Sequence, residues 1–240
     1  MRLVAVFGFL FLFLFVGSAH AFEIIVGVNE TADARVLAFP EIVHSGLARV
    51  VVEVTNAGSV GIRARPQLAV ELFRAWAHEH VIPPGAQETI PLYWYAPESR
   101  NGTAHVTVDL GALGTRELLV ALEIRGGANA SHAFTLARAR VRSSTIGLRI
   151  QSEREARIAV IPLDIPAGWV VEQKETAIKR GSQTVVVGYK SVSQPQTVRF
   201  ALVDLATGEA SIGQAEIVEQ TGWAAFFEDL RDWFEDALSR

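Results

Sequence analysis

From residue 48 to residue 217 apolar side chains return at every second position, and that period admits strands and little else. Val50, Val52 and Val54 alternate with Arg49, Glu53 and Thr55. The scheme repeats through Leu68, Val70 and Leu72, then Ile90, Leu92 and Trp94, then Val106, Val108 and Leu110, then Leu118, Val120 and Leu122. Turn residues separate these runs at Asn56-Ala57-Gly58-Ser59, Pro83-Pro84-Gly85, Pro97 to Gly102 and Gly111 to Gly114. Phe22 to Val28 and Arg35 to Phe39 can supply edge strands. After Arg125-Gly126-Gly127-Ala128-Asn129, which reads as a glycine-rich linker, Ile146, Leu148 and Ile150 begin a second set. Ile158 and Val160, Val185, Val187 and Tyr189, then Val198, Phe200 and Leu202 extend it to Ile217. The expected fold class is all-β, with two tandem antiparallel sandwiches of about seven strands each.

The ends of the chain break the period. Met1-Arg2, the apolar run Leu3 to Val16 and Ala19-His20-Ala21 have the layout of a cleaved secretory signal over residues 1–21. As a helix the run would rise about 21 Å, short of the roughly 30 Å of a bilayer core. At the other end, after Thr221-Gly222, apolar residues follow a 3.6-residue period. Trp223, Phe226, Phe227, Leu230, Trp233 and Phe234 share one face of an expected helix over residues 221–240, with Thr221 as its N-cap. Five acids against Arg231 and Arg240 leave this segment at a net charge of −3. Its aromatic face would be covered by the protein's own sandwiches, by a groove on a partner, or by a membrane surface. The remaining boundaries are a first sandwich over 22–125, a linker over 126–131 and a second sandwich over 132–219.

Composition narrows the function. With 26 Asp and Glu against 22 Lys and Arg, the chain lacks the positive balance of a nucleic-acid binder. It has no cysteine, so burial and strand pairing must stabilise it outside the cell. Three of the four asparagines, Asn29, Asn101 and Asn129, stand in acceptor triplets for N-glycosylation.

The segments Val54-Thr55-Asn56-Ala57-Gly58, Ile82-Pro83-Pro84-Gly85, Leu92-Tyr93-Trp94 and Asn101-Gly102-Thr103 before Val108-Asp109 carry a likeness. The first block resembles the cell-adhesion-related Ig-like domain of bacterial and archaeal surface proteins. The second, with Ile165-Pro166-Ala167-Gly168-Trp169-Val170-Val171 and Lys179-Arg180-Gly181-Ser182, is similar to the Ig-like module attached to secreted carbohydrate-active enzymes. These resemblances cover about residues 40 to 218 and imply an adhesive, spacer or docking role with no catalytic residue.

His78-Glu79-His80 puts two imidazoles on one side of a strand, and with His44 or His105 they could chelate a metal; two ligands fall short of a site, and a solvated edge strand is expected. Arg138, Arg140 and Arg142 share a strand face that Arg149, Arg154 and Arg157 could extend into a surface for acidic glycans or lipid phosphates. Trp94 belongs to the core by alternation, leaving Tyr93 and Tyr95 to face outward as candidate sugar contacts. Trp169 is expected to plug the second core. No Gly-x-Ser-x-Gly, His-Glu-x-x-His or calcium-loop pattern is present, so no enzyme and no cofactor are expected. The expected protein is a secreted, prokaryotic, non-catalytic surface scaffold that docks through its C-terminal helix to a partner or membrane; the alternative is a carbohydrate-binding accessory protein.

Overall fold

The computed structural model describes residues 33–216, apart from 45, 72, 125–126, 128, 143, 164–168 and 191–196. The expected signal, the edge strand at 22–28, Asn29 and the C-terminal helix with Trp223, Phe226, Phe227, Leu230, Trp233 and Phe234 lie outside the described residues. Within them the protein is all-β and no helix is long and apolar enough to cross a membrane.

The first half contributes β1 (Ala34–His44), β2 (Leu47–Asn56), β3 (Ile62–Val70), β4 (Phe73–Trp76), β5 (His80–Ile82), β6 (Gln87–Tyr95), β7 (Arg100–Asp109) and β8 (Thr115–Ile124). The second contributes β9 (Asn129–Ala130), β10 (Phe134–Arg142), β11 (Thr145–Ser152), β12 (Ala156–Leu163), β13 (Val170–Glu172), β14 (Lys174–Ile178), β15 (Gly181–Lys190), β16 (Thr197–Asp204) and β17 (Glu209–Glu216).

Alternation builds two ordinary sandwich cores. In the first, Val50, Val52 and Val54 of β2 and Ile90, Leu92 and Trp94 of β6 meet strands β3, β7 and β8. In the second, Ile158 and Val160 of β12 and Phe200 and Leu202 of β16 meet strands β10, β11 and β15. Trp169 is buried there and stacks on Tyr189 with ring centroids 5.4 Å apart. Asn56, fully buried, closes the turn after β2. Its Nδ2 donates to the carbonyls of Val60 and Ile82 at 2.8 and 3.0 Å, and its Oδ1 accepts from the Gly58 N–H.

The two sandwiches are not separate bodies. One nine-stranded sheet runs β10-β11-β15-β13-β4-β3-β7-β8, with β5 beside β3, and crosses between modules where β4 and β13 pair in parallel, Val171 opposite Ala75 and Glu172 opposite Trp76. The three-stranded sheet β1-β2-β6 and the five-stranded sheet β14-β12-β16-β17-β9 complete the fold. Their outward faces meet in a third core, where Leu47, Tyr93 and Tyr95 pack with Ala159, Ile161, Ala201 and Val203. Across the molecule the order is therefore one arm of the long sheet, first core, three-stranded sheet, third core, five-stranded sheet, second core, other arm.

Three expectations are corrected by this arrangement. Tyr93 and Tyr95 do point away from the first core, as alternation requires, but they do not face solvent: at 2% and 7% exposure they are covered by the second module. The expected linker over 126–131 ends early, because Asn129 and Ala130 form β9 and pair in parallel with Glu209 and Ala210. Among the described residues pairing is antiparallel except at β4–β13, which joins the modules, and at β9–β17, so the first module is antiparallel as expected and the second is not purely so.

Candidate functional site

The junction of the modules is held by polar groups as well as by the third core. Tyr93 donates its phenol proton to Glu175 Oε2 at 2.7 Å, and its N–H donates to Gln173 Oε1 at 2.6 Å. The Gln173 N–H in turn donates to the Trp76 carbonyl at 2.9 Å. Arg157 pairs with Glu175, and Arg49 with Glu41. Burial above all, then the Glu175 carboxylate, holds the Tyr93 phenol well above the ordinary tyrosine range. Burial also raises Tyr95. For Arg49 burial disfavours the charge, but hydrogen bonds to Glu41 and Tyr93 outweigh it and the pKa is raised. At the end of β1, His44 Nε2 lies 2.8 Å from the Leu205 carbonyl of the β16–β17 turn, a further tie between modules.

Beside this junction lies a cleft of about 410 Å³ that neither module forms alone. The first supplies Arg65, Trp76, His78 and Glu79; the second supplies Glu172, Lys174, Gly188, Tyr189 and Lys190. Glu172 is 7% exposed, and its Oε2 accepts the Gly188 N–H while Oε1 lies 3.2 Å from His78 Nδ1. A Cβ at Gly188 would sit 2.8 Å from Glu172 Oε2 and 3.5 Å from Trp76, so a larger residue would push the Glu172 carboxylate aside. The Lys190 ammonium lies 5.2 Å from the centroid of the Trp76 ring. Arg65 and Glu79 pair at 2.6 Å on the rim, and Lys174 Nζ donates to the Val186 carbonyl at 2.9 Å.

The structure disperses most of the residues singled out in the sequence. His78 faces Glu172, His80 faces Glu88, His44 meets Leu205 and His105 is exposed on β7. Among the described residues no three metal-ligating side chains come together. The arginine stripe is split. Arg138 and Arg149 stand opposite each other on β10 and β11, past an irregularity between Leu136 and Arg138, and Arg140 is half-buried opposite Gly147. Arg142 ends β10. Arg154 instead donates to Asp204 at 2.8 Å and Glu209 at 2.6 Å and lies over the Phe134 ring, while Arg157 belongs to the junction. Asn101 is exposed on β7, and Asn129 lies in β9. Tyr93 and Tyr95, being buried, present no ring to a sugar.

Sequence reading missed Glu172, Lys174 and Lys190, and passed over Trp76. They come from four strands of two modules, so no spacing along the chain could collect them.

No family model matches the chain, and no curated protein matches it in sequence. Among solved structures, the N-terminal periplasmic domain of ScsB from Proteus mirabilis is 13% identical over 79% of this chain and 94% of that one, with a TM-score of 0.30. A chimeric titin Z1Z2 tandem is 12% identical over 80% of this chain and 100% of that one, at 0.25. Red sea bream transglutaminase is 9% identical over 80% of this chain, at 0.26, and the chain spans only 32% of its length. Likenesses at these TM-scores carry no argument about activity, and the β-sandwich architecture rests on the strands and cores described above.

Proposed function

We propose that this protein is a secreted, non-catalytic scaffold of a prokaryotic cell surface, built of two Ig-like modules and attached through its C-terminal amphipathic segment. The observation that carries the reading is the third core. Two sandwiches that only had to be carried could be joined by a flexible linker, yet here Leu47, Tyr93 and Tyr95 are buried against the second module and the long sheet crosses the boundary. Interdomain motion is the usual expectation for small polar contacts, whereas a large apolar one resists it. A stiff body of this kind suits a spacer that sets the distance and orientation of what it bears. β17, the last described strand, belongs to the inner five-stranded sheet.

Liposome flotation of residues 22–240 against residues 22–220, on neutral and anionic lipids, tests the attachment. Flotation that disappears with the tail makes the segment a membrane anchor. If neither protein floats, the membrane form of the reading fails, and cross-linking to surface proteins with and without the tail decides whether a partner is docked instead. Equal retention at the cell surface without residues 221–240 would overturn the docking reading altogether.

A further inference from the structure

The junction cleft combines an aromatic side chain, a buried carboxylate and two ammonium groups, and the combination selects a ligand class. Trp76 lines the cleft with partly exposed indole beside the Lys190 ammonium, the kind of surface on which the C–H face of a pyranose packs with an anion alongside. Glu172 is fixed by the Gly188 N–H and by His78, and its remaining lone pairs are acceptors for hydroxyl groups. Lys174 and Lys190 bring two positive charges to the same wall, and neither is joined to a carboxylate among the described residues. A neutral sugar would use the ring and the acceptor but bring no counter-charge to either ammonium group.

The surrounding backbone argues against an added peptide strand. β4 pairs with β3 and β13 and β15 with β11 and β13, and where β13 stops short the Gly188 N–H and the Val186 carbonyl of β15 are taken by the Glu172 and Lys174 side chains, so the backbone of these two strands is already partnered along the cleft. Recognition must come from side chains, and the volume of about 410 Å³ lies within the roughly 300–1,000 Å³ of small-ligand sites. We infer that the cleft binds an acidic saccharide: a pyranose lies against Trp76, its carboxylate or sulfate meets Lys190 and Lys174, and its hydroxyls meet Glu172 and His78. Because both modules line the cleft, this site exists only while they are joined. The inference does not depend on the tail, and concerns a surface distinct from it.

Titration calorimetry on residues 22–240 tests it with three probes: an oligogalacturonate, a sulfated chondroitin disaccharide and neutral maltotriose. Saturable binding of the oligogalacturonate or the sulfated sugar is expected, with maltotriose silent, and the stronger of the two identifies the anionic group. Lys174→Gln with Lys190→Gln should weaken it at least about tenfold, the scale of losing a charge-assisted hydrogen bond. His78→Ala, at an exposed side chain, should weaken it a fewfold without changing the melting temperature. Lys179→Gln with Arg180→Gln removes the same charge from the exposed turn at the far end of β15 and should leave affinity unchanged. Absence of saturable binding by either acidic probe overturns the inference. So does an unchanged affinity in the cleft variant, or an equal loss in the distant one, which would reduce the effect to general attraction of polyanions.

Discussion

The first and second cores and the third core are all apolar layers between two sheets, but they are written into the chain in different ways. Ile146, Leu148 and Ile150 line the second core with the half-exposed Gly147 and Arg149 between them, and Val52 and Val54 line the first with the half-exposed Glu53 between them. The third core is lined by the residues in between on the inner strands: Tyr93 and Tyr95 between Leu92, Trp94 and Ala96, Ala159 and Ile161 on either side of Val160, Ala201 and Val203 beside Phe200 and Leu202. Strands buried on both faces lose their alternation. The comparison teaches that a boundary between sequence repeats need not be a mechanical boundary, and that the sign of a joined interior is a continuous apolar run.

Substitutions can break this comparison in order of severity. Ile161→Asp places a carboxylate at a fully buried position between the two inner sheets. It should cost about 3–5 kcal/mol, the scale of an uncompensated buried charge, and calorimetry should show the single unfolding transition splitting or moving steeply down. Gly208→Ala combines a positive φ of +73° with a Cβ 2.6 Å from the His44 side chain across the junction, and Gly188→Ala drives a Cβ against Glu172. Each should cost about 1–3 kcal/mol by overpacking, measured by denaturant midpoints, and Gly188→Ala should also distort the cleft.

Tyr93→Phe is milder. The phenol's hydrogen bonds with Glu175 and Arg49 are lost, but Glu175 keeps Arg157 and Arg49 keeps Glu41, so about 1–2 kcal/mol is expected. Its pH signature is more telling than its size. Folding raises the pKa of Tyr93 above the ordinary value of 10.0, so the folded form holds the proton longer than the unfolded one. The stability it contributes is complete below pH 10 and is lost as pH rises beyond it. Thermal melts between pH 8 and 11 should fall in the native protein and fall less in Tyr93→Phe. The smallest effect belongs to Leu119→Ser on the outside of the long sheet, where the side chain is 69% exposed and a change within about 0.5 kcal/mol is expected.

Much of the architecture was legible. The period-2 runs gave nearly every long strand, the turn at Asn56 to Ser59 is where the buried Asn56 closes it, and Trp94 and Trp169 lie in the cores to which alternation and the turn context assigned them. What could not be read was the relation between modules. Alternation says which residues leave a core, but not whether another sheet awaits them, so it points Tyr93 and Tyr95 outward without showing the second module that covers them. The extension of the arginine stripe failed for a related reason: Arg138, Arg140 and Arg142 stay on β10 and Arg149 stands opposite Arg138, whereas Arg157 sits on β12 in another sheet, and strand order is invisible in spacing. The run Leu92 to Ala96 and the runs at 158–163 and 200–203 did carry the missing signal, as apolar stretches without alternation.

The central claim is that the two modules move as one, and a distance across them tests it most directly. Because the chain has no cysteine, Leu119→Cys in the first module and Lys179→Cys in the second can be spin-labelled alone, both at exposed positions. Double electron–electron resonance should give one narrow distance distribution in the otherwise unmodified protein, broadening when Ile161→Asp is added. A broad or multiple distribution in the absence of Ile161→Asp would contradict the single body, and with it the stiff spacer and the shared cleft.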